Sequence, residues 1–498
     1  MIRATLLIVI GVFIRGIENS HSTYHLVAKS MKLKQITITF ITVCIATIFG
    51  PQAARAVSLT PIADGLNQPR GIDFGSDGSI YVGETGSGGD GNCQGSPSTQ
   101  GELICAGNTG SVTKIAPDGQ QERLFENFES LALQPTGNQG AGPQELSFDS
   151  SGDAYLLTGY AGFPGNRDPE LNALSTNIPL SPEQGPFAPV PADRLLNTPD
   201  LGQLYKADLN TQQLTPIFDF AKYELLNNPD GGDVVSNPYD MTISGNTAYV
   251  ADGGANVLYT VKLDGSDTKA IPIPRQTIEN PEFPPAPPGQ EPFRLPGQTE
   301  TEAEVQAVPT GVTIGPDGAA YLGEYTGYPY AEGGARVYRL NDKGELEVYA
   351  DGFNAITDIK FDKDGNLLVL QFTDEAEWKG KDITQLPGSL IKVAPDGTRT
   401  VLVSAGEGLE SATGLAVGSD GQIYVTNKGV GPGNGEVFRV DGTGVTAEAV
   451  PEPSSILGLL LFGVIGGGTW FNRKQQQDRE AIAPELEQTL SQSAIYTT

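Results

Sequence analysis

One strand–turn–strand phrase is written six times along this chain. It reads QPRGIDFGSDGSIYVGE at residues 68–84. It returns as GPQELSFDSSGDAYLLT (142–158), NPYDMTISGNTAYVAD (237–252), VPTGVTIGPDGAAYLGE (308–324), AITDIKFDKDGNLLVLQ (355–371) and ATGLAVGSDGQIYVTN (412–427). Each copy joins two short apolar runs of period two through an Asp-Gly or Ser-Gly turn, a strong short-range signal for a β-hairpin. A third strand follows after a variable gap, as in GSVTKIAPDG, NVLYTVKLDG or GEVFRVDG, and a fourth comes directly after it, as in LFENF, TPIFDF or TVLVSAG. Four antiparallel strands, repeated, predict an all-β chain built as the blades of a β-propeller.

Closure can be read from one missing strand. Six third strands are present, but only five are followed by a fourth. The N-terminal stretch VSLTPIADGLNQPRGI (57–72) matches TVLVSAGEGLESATGL (400–415) almost position for position. It is therefore expected to supply the outer strand of the last blade, closing six blades over residues 57–445 and leaving no open edge of unpaired backbone. The hairpin turns are all short. Every long segment (85–109, 159–200, 221–237, 266–307, 325–334 and 372–387) joins strand two to strand three or leads to the next blade. In an up-and-down blade those connections emerge on one face, where binding and catalysis concentrate. The Pro-rich segment 271–298 is expected to be an extended, poorly ordered loop.

The ends of the chain carry addresses rather than fold. Residues 31–56 combine a basic start, an apolar run and an Ala-x-Ala site at Ala54 and Ala56, the plan of a secretory signal cut by signal peptidase. Residues 1–30 then precede the expected start at Met31; the rival is that the first apolar run, MIRATLLIVIGVFIRG, is itself the signal or a first membrane segment, though it is short to span. Residues 446–474 hold Pro451, Glu452 and Pro453, an apolar run expected to form a hydrophobic helix, and the basic pair Arg473 and Lys474. That three-part plan resembles the PEP-CTERM sorting signal, which implies an exosortase-type processing enzyme as partner. A polar tail, 475–498, follows where such signals usually stop. The expected location is the periplasm or cell envelope, anchored to the membrane by the C-terminal segment unless that is removed.

Export strips the chain of chemistry. Both histidines, His21 and His25, precede Val57, so the mature protein has none. Ser-His-Asp and Cys-His catalysis and histidine-ligated metals are excluded on that ground. Cys93 and Cys105 remain, and export favours a disulfide between them. Between Val57 and Val450 there are 54 acidic and 22 basic residues, a net charge of −32. Such a surface repels nucleic acid and anionic lipid.

Candidate site residues follow from the repeat. The second strands end in Glu84, Thr158, Asp252, Glu324, Gln371 and Asn427, on the face where the first strands begin with Glu145, Asp240 and Asp358. This predicts a double ring of carboxylates and amides around the axial channel. Oxygen ligands of this kind suit Ca²⁺; equally, acids at strand ends can cap loop backbone, and both readings stand. DKDGN (362–366) lacks the spacing of an EF-hand loop and reads as a hairpin turn. Tyr325, Tyr328 and Tyr330, with Trp378 in a neighbouring loop, could stack on a planar ligand or pack the loops down.

QPRGIDFGSDGSIYVGETGSGG with its two cysteines, GSVTKI, the second-blade insertion and PTGVTIGPDGAAYLGEYTGYPY together resemble the ScyD/ScyE family over residues 57–445. These are exported propeller proteins with NHL-like repeats, associated with the scytonemin pigment clusters of cyanobacteria. The resemblance implies an envelope setting and contact with aromatic, indole- and phenol-derived precursors, but brings no active site. Two functions remain: a binding or scaffold module whose loop face holds a ligand or envelope partner, and a calcium-dependent hydrolase or lactonase. Only carboxylates and tyrosines are present to move a proton, which favours the first.

Overall fold

The computed structural model of this protein describes residues 57–99, 101–178 and 190–442. The segments 1–30 and 31–56, the sorting segment with Pro451, Glu452, Pro453, Arg473 and Lys474, and the polar tail lie outside the described residues. Among the described residues, no helix is long and apolar enough to cross a membrane.

All six repeated phrases form antiparallel hairpins, and each opens its own sheet. The sheet of residues 356–403 is representative: Ile356–Phe361, Leu367–Gln371, Ser389–Val393 and Arg399–Val403 lie side by side in chain order. The first-hairpin turn is chemically determined. In the first copy the Gly78 N–H bonds the Gly75 carbonyl, the Gly75 N–H bonds the Ser79 carbonyl, and Asp77 accepts from the Ser79 N–H. Such a turn needs a left-handed residue, and Gly78, with φ of 78°, supplies it without a Cβ penalty. The last sheet comprises Gly414–Val417, Ile423–Asn427 and Gly435–Asp441, and its fourth strand is Ser58–Leu66 from the other end of the described chain.

The first strands (Pro69–Phe74, Pro143–Phe148, Pro238–Ser244, Pro309–Ile314, Ile356–Phe361 and Gly414–Val417) touch one another in that cyclic order, the last returning to the first. Apolar side chains from facing sheets fill the space between neighbours. A second repeat runs through that filling. The tyrosine of a second strand meets, edge on, the phenylalanine ending the next sheet's first strand: Tyr81 on Phe148 at 5.0 Å, Tyr321 on Phe361 at 4.8 Å and Tyr424 on Phe74 at 5.2 Å. Each such pair contributes about 0.5–1.5 kcal/mol beyond area burial.

Two of the long segments are not the loops that the sequence suggests. Residues 103–109 belong to the 13-residue strand Leu103–Ile115, which pairs with Gln121–Leu133 and with the short strand Cys93–Gly95. Cys93 and Cys105 are direct cross-strand partners joined by a disulfide. The Pro-rich segment is likewise tied down. Gln276–Glu279 pairs with Glu302–Val305, and the Tyr328 hydroxyl bonds the Phe293 carbonyl at 2.8 Å. The reason is that its few apolar side chains, Phe283 and Phe293 among them, find the Tyr328 ring as a partner.

The second-sheet insertion carries two short helices, α1 (Pro169–Ser175) and α2 (Phe220–Asn227), capped by Asp168 and Asp219. Arg167, buried between them, forms a bidentate pair with Asp219 at 2.7 and 2.8 Å and bonds Asp168 at 2.7 Å. Helix α2 also buries Glu224 completely, with neither carboxylate oxygen hydrogen-bonded. Burial, helped by repulsion from Asp252 and Asp230, pushes its pKa to about 10. The folded pKa lies above the unfolded one, so Glu224 favours folding while protonated and loses that contribution as pH rises towards 10. Glu224→Gln should therefore gain on the unmodified protein by about 1.4 kcal/mol per pH unit between pH 6 and 8. Urea unfolding of both proteins at the two pH values checks this; parallel losses of stability would contradict it.

Candidate functional site

Five of the six first strands begin with an irregularity, and the irregularity makes the site. In five sheets an extra residue interrupts the register just after the strand starts: Pro143 faces Thr158 and Glu145 faces Leu157, which leaves Gln144 with no partner of its own. The same bulge frees Arg70, Tyr239, Thr310 and Thr357. In the sixth sheet Thr426 opposes Gly414 and also accepts from the Thr413 N–H, which places Thr413 equivalently. A bulge re-aims a side chain. Here the five extra residues and Thr413 turn to the same place, and Arg70, Gln144, Tyr239, Thr310, Thr357 and Thr413 floor one cavity of about 670 Å³.

The walls come from the long segments: Ser96 and Pro97, Val235, Leu295 and Pro296, Tyr325 to Tyr328 with Tyr330, Phe372 and Ile383 all line the cavity. Five of the long segments thus converge on one mouth. Tyr325 and Tyr330 meet at 6.1 Å, Tyr328 and Tyr330 at 6.0 Å, and Tyr325 and Phe372 at 5.8 Å. Three of the four aromatics singled out in the sequence therefore face the cavity. Trp378 does not line it; its indole N–H donates to the Pro329 carbonyl at 3.0 Å and pins the tyrosine loop. Ordered hydroxyls support the wall, as where Tyr325 donates to Glu377 at 2.7 Å.

The expected double ring of acids separates into two structural sets. The second-strand ends turn back onto their own sheets. Glu84 accepts from the Asn67 N–H at 2.5 Å, Asp252 from the Asn237 N–H at 2.7 Å, Gln371 from the Asn354 N–H at 2.8 Å and Asn427 from the Glu410 N–H at 2.7 Å. One recurrent task, fastening the backbone just ahead of the first strand, thus occupies these side chains. Asp252 takes further bonds from Ser236, Gly254 and Ala255, and burial still raises its pKa to about 6. Glu324 is paired with Arg336 at 2.6 Å and Tyr338 at 3.1 Å, and Thr158 donates to the Asp200 carbonyl at 2.9 Å.

The first-strand acids reach across to the next sheet. Glu145 accepts from the Met241 N–H at 2.8 Å, Asp240 from the Val312 N–H at 2.5 Å and Asp358 from the Leu415 N–H at 2.7 Å. Only three of the six equivalent positions carry acids because space is short. A Cβ on Gly71 would sit 2.7 Å from the Glu145 Cβ, and one on Gly414 would sit 2.2 Å from the Arg70 carbonyl oxygen. Between the acids lies a cation: Lys360 Nζ is 3.0 Å from Asp358 and 3.5 Å from Asp240. Burial works against its charge, but Asp240, Asp358 and Glu145 outweigh burial and hold its pKa above the usual lysine value. Burial and the Asp240 charge push Asp358 up to about 8, against the pull of Lys360. As arranged, these residues do not fit a central Ca²⁺ site, since a lysine ammonium stands among the would-be ligands. Among the described residues, no group of three or more His, Cys, Asp or Glu side chains is placed to hold a metal ion.

The sequence reading missed Arg70, Gln144 and Tyr239. The only available signal was positional: each stands one residue before an anchor position that the repeat itself identifies.

No family model matches this chain, and no curated protein does. Among solved structures it is similar to a virginiamycin B lyase from Staphylococcus aureus, with 11% identity over 77% of this chain and 98% of that one, at a TM-score of 0.38. A gluconolactonase from Xanthomonas campestris aligns with 10% identity over 78% and 91%, at a TM-score of 0.41. A luciferin-regenerating enzyme aligns with 11% identity over 79% and 97%, at a TM-score of 0.39. Likenesses at this level assign no activity.

Proposed function

We propose that this chain is an exported, envelope-anchored, six-bladed β-propeller that acts as a binding module. A small aromatic molecule is held in the axial cavity on its loop-bearing face. The observation that carries this is the cavity itself: five bulged residues and Thr413 floor it, and three tyrosines and Phe372 enclose it. Its volume of about 670 Å³ falls among those of small-molecule sites, which are mostly apolar with a few placed polar groups. The cyclic contacts of the six first strands and the pairing of Ser58–Leu66 with Gly435–Asp441 support six blades closed by the N-terminal strand. Binding is favoured over calcium-dependent hydrolysis because the acids that such chemistry would use are committed to backbone N–H groups and to Lys360. Processing by signal peptidase and an exosortase-type enzyme, and a link to scytonemin-type pigment metabolism outside the cytoplasm, belong to the same proposal.

Saturation-transfer NMR against a panel of bicyclic aromatic fragments provides the test. The 57–442 protein should give signals, and the double substitution Tyr328→Ala, Tyr330→Ala should weaken binding about tenfold, since each ring contributes about 0.5–1.5 kcal/mol. No signal from any fragment would remove the cavity's function.

A further inference from the structure

Two arginines are buried in the described residues, and they are treated differently. Arg167 is neutralised by Asp168 and Asp219. Arg70, 5% exposed, has no carboxylate within ion-pair distance among the described residues. Its guanidinium donates to two backbone carbonyls, those of Gly429 and Gly140, which leaves three of its five N–H donors unused. Nε is one of these, buried and without a partner. A buried charge left in this state is expensive unless something else supplies the acceptor.

The surroundings say what that acceptor belongs to. Arg70 sits on the cavity floor, with its guanidinium carbon 6.0 Å from the centroid of the Tyr239 ring. Two more unpartnered polar atoms line the same cavity: Gln144 Oε1, on a side chain 1% exposed, and Asn237 Oδ1. The wall's own carboxylates are engaged elsewhere, Glu304 by Arg275 and Glu377 by Tyr325, and Asp233 also has a partner. The remaining lining is a mixture of small, aliphatic and hydroxyl-bearing residues with six aromatic rings, Tyr239, Phe293, Tyr325, Tyr328, Tyr330 and Phe372. An arginine presents a planar fork that matches a carboxylate through two parallel bonds.

Building on the cavity function proposed above, we infer that the ligand is an aromatic carboxylate. Its anionic group is seated on Arg70, its ring lies among Tyr239, Tyr325 and Tyr330, and the Gln144 and Asn237 carboxamides meet its remaining polar atoms. The acidic surface of the protein does not forbid this. Its long-range field is screened within about 8 Å at physiological salt, so contact at Arg70 decides the affinity.

A matched pair of probes isolates the charge: 2-naphthoate and its neutral amide, 2-naphthamide, titrated by calorimetry into the 57–442 protein. Naphthoate should bind about tenfold or more tightly than the amide, as expected for hydrogen bonds to a charged group. Arg70→Met should weaken naphthoate far more than the amide and so abolish that preference. Acetate at equal concentration should not displace naphthoate. Equal affinities for the two naphthalenes would overturn the carboxylate assignment while leaving an aromatic-binding cavity, and displacement by acetate would overturn the aromatic part while leaving a carboxylate seat at Arg70. Binding of neither probe would overturn the cavity function with it. Should Arg70→Met fail to fold, the preference measured on the unmodified protein still decides between these outcomes.

Discussion

Lys360→Met should destabilise the fold by about 3–5 kcal/mol, the usual result of removing one partner from a buried ionic cluster. Lys360 stands 3.0 Å from Asp358 and 3.5 Å from Asp240, and its charge also acts on Glu145. Methionine keeps the length and apolar stem of lysine, so the change is chiefly electrostatic. The acids cannot turn away, because each holds a backbone N–H of the next sheet. They must instead take up protons, and Asp358 and Glu145, already raised by burial, would rise further. The sign of the pH dependence follows. Carboxyls whose folded pKa exceeds the unfolded value favour folding at low pH and lose that contribution as pH rises through the folded pKa, about 8 for Asp358. The deficit of Lys360→Met should thus be smaller at pH 5 than at pH 8. Adding Asp240→Asn and Asp358→Asn should recover most of it. Chemical denaturation at both pH values measures all three effects; a loss below about 1 kcal/mol at pH 8 would mean that the cluster is solvated rather than buried.

The hairpins were legible in the sequence because their determinants are local. A turn that needs a left-handed residue selects glycine, as at Gly78, and period-two patterning specifies the face of each strand. The match of residues 57–72 to 400–415 was legible for the same reason, since strands doing the same work carry the same pattern. What sequence could not supply was the direction of a polar side chain at a strand end. Glu84 and Glu145 both sit at the predicted rim, yet one turns outward to its own loop and the other inward to a neighbouring sheet. That choice depends on which backbone N–H lies unsatisfied nearby, a three-dimensional matter. The bulges were invisible for a related reason. A bulge adds no distinctive residue; it only shifts which residue lacks a cross-strand partner, so Thr310 and Arg70 perform the same turn with unrelated side chains.

A chain starting at Asn67 in place of Val57 should lose more than about 5 kcal/mol, enough to exhaust the stability of many domains. The strand Ser58–Leu66 pairs with Gly435–Asp441 through residues as far apart in sequence as Ser58 and Asp441, and Thr60 adds a hydroxyl bond to Asp441 at 2.5 Å. It is also a wedge between cores. Ala63 and Leu66 pack with Ile72, Ile80 and Val82 of the first sheet, whereas Val57 and Leu59 pack with Leu402 and Leu409 on the other side. Removing the strand therefore uncovers apolar surface on two sheets and exposes the whole edge of Gly435–Asp441, a template for pairing with other chains. The shortened protein should melt many degrees lower and self-associate. A synthetic peptide of residues 57–66 should restore the melting temperature in a concentration-dependent way, because it binds only the folded state. A scrambled peptide of the same composition should not. Equal melting temperatures for the two chains would show that the last sheet holds without its fourth strand, and the ring would then have to be closed by the first-strand contacts alone.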